Sequence, residues 1–164
     1  WQVSTIHQMV SAPPLNPTIG VDLTGNGVST LVLPGVEYNG FGRGTDVSHL
    51  IALVDDFNKT YPTSVTGKRT PANQVIPRIT LPNAFSNGDA FFSTDLRLTR
   101  VLRIRERTKV TVMAEGFNVF NVANLSGYSG NLTASTFGQP NVRTSQTFGT
   151  GGPRAFQFGA RLTF

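Results

Sequence analysis

Cysteine is absent from these 164 residues, which removes any disulfide framework, cysteine-ligated metal site or thiol nucleophile. Charge is scarce: only 14% of the residues are Asp, Glu, Lys or Arg. Among the acids, Asp55, Asp56, Asp89, Asp95 and Glu115 show no catalytic spacing. Ser48-His49 is only a neighbour pair, whereas a nucleophilic triad is defined by geometry. Gly40-Phe41-Gly42-Arg43-Gly44 follows no strand and lacks the glycine order of a phosphate loop. The sequence therefore reads as no enzyme, with no catalytic residue and no cofactor. No apolar run approaches the roughly 18 residues of a membrane helix. No signal peptide is recognisable, and the chain opens on Trp1 instead of Met, as a processed chain or a fragment would.

What is present leans towards β-structure. Thr, Val and Phe are frequent, while 17 Gly and 10 Pro punctuate the chain. Hydrophobic content is 38%, below the usual globular range, as expected where apolar residues alternate across strand faces. The net charge of +5 gathers in Arg97, Arg100, Arg103, Arg105, Arg107 and Lys109. A nucleic-acid groove could carry such charge, but no binding motif accompanies it, so nucleic acid is not an expected partner.

The clearest pattern is at the carboxyl end. Phe156, Phe158, Ala160, Leu162 and Phe164 fall on one face, against Ala155, Gln157, Gly159, Arg161 and Thr163. A period of two is the strand period. A tilted strand of about ten residues also suits a bilayer core. Strands are expected at about 1–11, 91–104, 108–120 and 153–164, with long loops over 12–90 and 121–152 and a further short strand at 28–33. One short helix is expected at about 46–59, from Val47, Leu50, Ile51, Val54 and Phe57, capped by Thr45 or Asp46. The whole of 1–164 reads as a single β-rich segment, all-β and mainly antiparallel. Asp22-Leu23-Thr24-Gly25-Asn26-Gly27 partly fits a calcium loop, making Asp22 and Asn26 weak metal candidates. Leu33 stands where the bidentate Glu should be, so a turn is the preferred reading and no metal is expected.

Connection lengths organise the strands. The turn at Arg105-Glu106-Arg107 is short; the other connections are long. Short turns at one end and long loops at the other is the outer-membrane barrel layout, with the short turns periplasmic. Phe91, Phe92, Phe117, Phe120 and Phe156 then fall near the outer interface, and Arg97, Arg103, Glu115, Gln157 and Arg161 face the lumen. Arg100 falls on the lipid face, where charge at the midplane costs about 2–4 kcal/mol. It is expected low on the strand, snorkelling, or displaced by a bulge.

Three stretches carry a family resemblance, the first being the early Pro-rich stretch followed by Asp22-Leu23-Thr24-Gly25-Asn26-Gly27 and Pro34-Gly35, which resembles a loop of that family. Ala114-Glu115-Gly116-Phe117-Asn118-Val119-Phe120-Asn121 with Asn124 resembles a penultimate-strand signature. Phe137-Gly138 followed by Pro153 to Phe164 resembles the matching terminal one. All three are similar to the carboxyl-terminal part of Oar-like, carboxypeptidase-regulatory-like TonB-dependent outer-membrane receptors of the Acidobacteria type. The resemblance implies the last strands of a large plugged barrel in the outer membrane of a Gram-negative bacterium. It marks Glu115, Phe117, Asn118, Phe120 and Asn121 as motif residues. It also makes Phe156, Phe158, Ala160, Leu162 and Phe164 the signal read by the barrel assembly machinery. Partners would be outer-membrane lipid and the remaining barrel strands. The alternative is a β-rich subunit at the cell surface, whose edge strands 1–11 and 153–164 pair with neighbouring copies in an extracellular fibre.

Overall fold

The alternating segments form strands and the apolar stripe near residue 50 forms a helix, in the order β1 (Gln2–Val10), α1 (Val47–Thr60), β2 (Phe91–Arg103), β3 (Lys109–Phe117), β4 (Leu125–Ser126), β5 (Val142–Arg143) and β6 (Ala155–Thr163). This computed structural model describes residues 1–43, 45–61, 69–144 and 149–164. Gly44 of the Gly-rich loop lies outside the described residues. Where the sequence reads as one β-rich segment, the chain divides into two compact units. The first is Trp1–Ala12, Asp89–Ser126 and Val142–Phe164; the second is Pro13–Gly88 and Gly127–Asn141.

The first unit is an antiparallel sheet in the order β1-β2-β3-β6. β2 and β3 join through a tight turn, in which Ile104 N–H donates to the Thr108 carbonyl at 2.9 Å. The register is unbroken and aligns like with like. Val3, Leu98, Ala114 and Phe158 form one row across all four strands, on one face. Ser4, Arg97, Glu115 and Gln157 form the adjacent row, on the other. No bulge displaces Arg100, which faces Val112 directly. Neither outer edge, β1 nor β6, has a partner strand among the described residues. The sheet is therefore not a closed barrel.

β3 ends at Phe117 instead of running to residue 120, because Asn118 turns to φ 46°. That is the left-handed region, where Asn is tolerated and a ladder stops. Gly116 is open to the Phe156 ring beside it: a Cβ there would lie 3.0 Å from that ring and 3.0 Å from Val119.

The second unit holds the buried apolar core: Leu15, Ile19, Leu33, Phe41, Leu50, Val54, Phe57, Ile76, Ile79, Leu132 and Phe137. The segments that read as loops are thus packed, although they contain few ladders. Residues 28–33 do not form the expected strand; a single bridge links Val32 to Thr18. Helix α1 is capped by Asp46, whose carboxylate accepts the His49 N–H at 2.7 Å. Leu50, Val54 and Phe57 are buried, whereas Val47 and Ile51 of the same expected stripe are exposed. Asn58 joins the buried side and clamps Ile79 through both its amide atoms, at 2.8 and 2.9 Å. Phe137 stacks near Phe41 and meets Phe85 at a tilt, with centroids 6.4 and 5.3 Å away.

Candidate functional site

The two faces of the sheet differ in what they need from their surroundings. On the apolar face the side chains lie open: Phe156, Phe158, Leu162 and Phe164 are all exposed, Phe158 by 82%. Ala160 lies between them, opposite Val112. Every member of the buried apolar core belongs to the other unit. Each large apolar side chain left in water forgoes about 1.5–3 kcal/mol of transfer free energy. A face of this kind is stable only against an apolar medium or partner.

The opposite face carries a polar row whose members satisfy one another. Arg97 Nε donates to one Glu115 carboxylate oxygen, and Gln157 Nε2 donates to the other. Because the three residues are in register on β2, β3 and β6, the result is a polar tie across three strands. Glu115 is 8% exposed, and Arg97 leaves much of its side chain open. This tie lines a cleft of about 300 Å³ with Ser4, Asp95 and Thr150.

Beside the cleft, Asp95 accepts from the Asn118 backbone N–H at 2.9 Å, from the Ser93 hydroxyl at 3.3 Å and from the Thr150 hydroxyl. Asn118 is fully buried. Its side-chain amide donates to the carbonyls of Val122 and Gly152, at 2.9 and 2.6 Å, and its Oδ1 accepts the Val122 N–H at 3.0 Å. Asn124 accepts the Phe92 N–H at 2.9 Å and donates to the Gly151 carbonyl at 3.1 Å. The motif asparagines therefore fasten the end of β3 to the start of β2 and to the segment before β6. Of the other motif residues, Phe117 stands opposite Ala155 and Asn121 takes φ 56° in the turn. Phe120 is exposed with its ring 6.3 Å from Phe92.

Arg100 lies on the apolar face, with its guanidinium 4.7 Å from the centroid of the Trp1 ring. A cation over an indole is attracted by the ring quadrupole, by about 0.5–2 kcal/mol depending on desolvation. Among the described residues the only ion pair is Arg97–Glu115, so Arg100 has no carboxylate.

The Asp22 loop sits in the second unit. One carboxylate oxygen accepts the backbone N–H groups of Thr24, Gly25 and Asn26, at 3.0, 2.7 and 3.3 Å. The other accepts the Gly27 N–H at 2.7 Å. Burial alone would raise the Asp22 carboxyl, but the donors of Gly27, Gly25 and Thr24 together hold it below the usual carboxylate range. Asn26 turns its Oδ1 to the Val28 N–H at 2.9 Å. Among the described residues, no three His, Asp or Glu side chains gather where they could hold a metal ion. Ser48 and His49 occupy the first turn of α1, where His49 contributes its backbone N–H to the cap.

Sequence reasoning found the two sheet faces. It missed the Asp95–Asn118–Thr150 cluster, because Thr150 is 55 residues from Asp95 and nothing local marks the pairing. A profile described as "Outer membrane beta barrel domain" matches residues 1–157. No curated protein and no solved structure matches the chain.

Proposed function

The chain belongs to the outer membrane beta barrel domain family, and from that membership we propose that it supplies barrel strands to a TonB-dependent receptor. Family membership places it in the Gram-negative outer membrane in a membrane-embedded, structural role. The observation that carries the reading is the division of apolar residues. The sheet has an open aromatic face, while among the described residues the buried apolar core lies in the other unit. Lipid covers the first face; the Ser4–Arg97–Glu115–Gln157 row lines the lumen.

Four strands cannot close a barrel, since the smallest have about eight and plugged transporters about 22. The open edges of β1 and β6 are therefore the joints to further strands of the same barrel. The stripe Phe156, Phe158, Ala160, Leu162 and Phe164 is the part read by the barrel assembly machinery. The contribution is to embedding and closure, with no catalytic step. The Oar-like specificity rests on the resemblance over 114–124 and 137–164.

The test is to isolate the native polypeptide from outer membranes, weigh it, and probe it with the soluble periplasmic domain of TonB. A mass far above 17.7 kDa, heat-modifiable mobility and TonB capture are the expected results. A polypeptide of about this mass, linked to copies of itself through β1 and β6, would overturn the reading in favour of a fibre.

A further inference from the structure

Arg100, Arg103, Arg105, Arg107 and Lys109 crowd one end of the sheet, and Glu106 is the lone acid among them. None of the five cations has an ion-pair partner among the described residues. Arg103 and Lys109 stand directly opposite each other in register, on the face of Arg97 and Glu115, and add to the cationic field of this end. Arg105 and Arg107 occupy the exposed turn between β2 and β3. Arg100 lies on the apolar face, three residues before the end of β2, with Trp1 beside it. An arginine on a lipid-facing strand lowers its cost by reaching towards the headgroups. Indole rings favour the same interfacial level.

We infer that this end of the sheet binds the phosphate groups of anionic phospholipids in the adjoining leaflet. Arg105 and Arg107 meet the headgroups from the turn, and Arg100, backed by Trp1, meets them from the lipid face. Each Lys or Arg held close to a membrane surface adds to the attraction for anionic lipid. Charge complementarity selects the occupant. A second copy of the chain would bring the same excess of cations to the contact. The inference rests on the membrane-embedded reading and on short turns being periplasmic.

The experiment uses the whole protein extracted from outer membranes in mild detergent. Native mass spectrometry with equal amounts of phosphatidylglycerol and phosphatidylcholine reads the ratio of bound lipids. Wild-type protein is expected to retain phosphatidylglycerol preferentially. The double variant R105Q/R107Q should lower the ratio by roughly 25-fold, since each of the two cations near the surface contributes about fivefold. R100Q should lower it further, and inorganic phosphate should not displace the lipid. R78Q, in the other unit, is the control and should leave the ratio unchanged. Equal retention of both lipids by wild type, an unchanged ratio in R105Q/R107Q, or displacement by inorganic phosphate would overturn the inference. Heat-modifiable mobility of each variant is measured alongside. Its absence in wild type would count against the barrel reading, separately from the lipid.

Discussion

Arg97 on β2 and Glu115 on β3 stand directly opposite each other, and their ion pair is completed by Gln157 on β6. A carboxylate that is 8% exposed thereby joins three strands on the face away from lipid. Removing one member leaves the other charge without its partner, which destabilises more than removing both. R97M is expected to lower the temperature at which the heat-resistant form of the whole protein is lost, because it leaves the Glu115 carboxylate without its cation. R97M/E115M should lower it less. Gel mobility against temperature measures both; equal losses would show that the pair is not coupled.

Asn118 performs two tasks at once. Its φ of 46° ends β3, and its amide serves Val122 and Gly152. N118A loses the side-chain bonds and keeps a strained backbone, at about 2–4 kcal/mol in total. N118G keeps the bonds lost but relieves the strain, so it should cost less. Urea unfolding midpoints of the two variants check the order.

The two faces should respond differently to charge. F158R puts a cation on the exposed aromatic row and is expected to cost about 2–4 kcal/mol near the bilayer midplane. T99R, on the opposite face across from Met113, should fold with little loss. Folding yield into vesicles distinguishes them.

The Asp22 loop should be acid-sensitive. Its folded carboxyl titrates below the ordinary value, because the Gly27, Gly25 and Thr24 donors outweigh burial. Its contribution is therefore complete above the unfolded Asp titration near pH ~4 and fades as pH falls through the lowered folded value. The protection factors of the amides at residues 24–27, taken against the intrinsic rate at each pH, should fall over that acid window. D22N, which cannot accept from Gly27 with its amide nitrogen, should exchange quickly at neutral pH as well.

The sequence made the sheet legible where a single physical rule governs it. Along 155–163 successive side chains point to opposite faces of the sheet, so the period of two is visible without tertiary knowledge. The helix was legible for the same reason, although Val47 and Ile51 proved exposed and Asn58 proved buried. The second unit was not legible as a folded body. Leu15, Ile19, Leu33, Ile76, Leu132 and Phe137 are buried singly, from distant segments, with no repeat among them. Their packing is a property of chain closure over long separations, which local pattern does not encode. The strand end at Phe117 was missed because Val119 and Phe120 continue the apolar look, while Asn118 alone redirects the backbone. Arg100 was correctly placed on the apolar face, but its indole partner is 99 positions away in the chain.

The central claim is that one face of this sheet meets lipid and the other meets water. Spin labels placed singly at positions 156 to 162 of the whole protein, in outer-membrane vesicles, test it most directly. The account predicts that collision with oxygen peaks at 156, 158, 160 and 162, and collision with a water-soluble nickel chelate peaks at 157, 159 and 161. Equal access at all seven positions, or the reverse alternation, would contradict it.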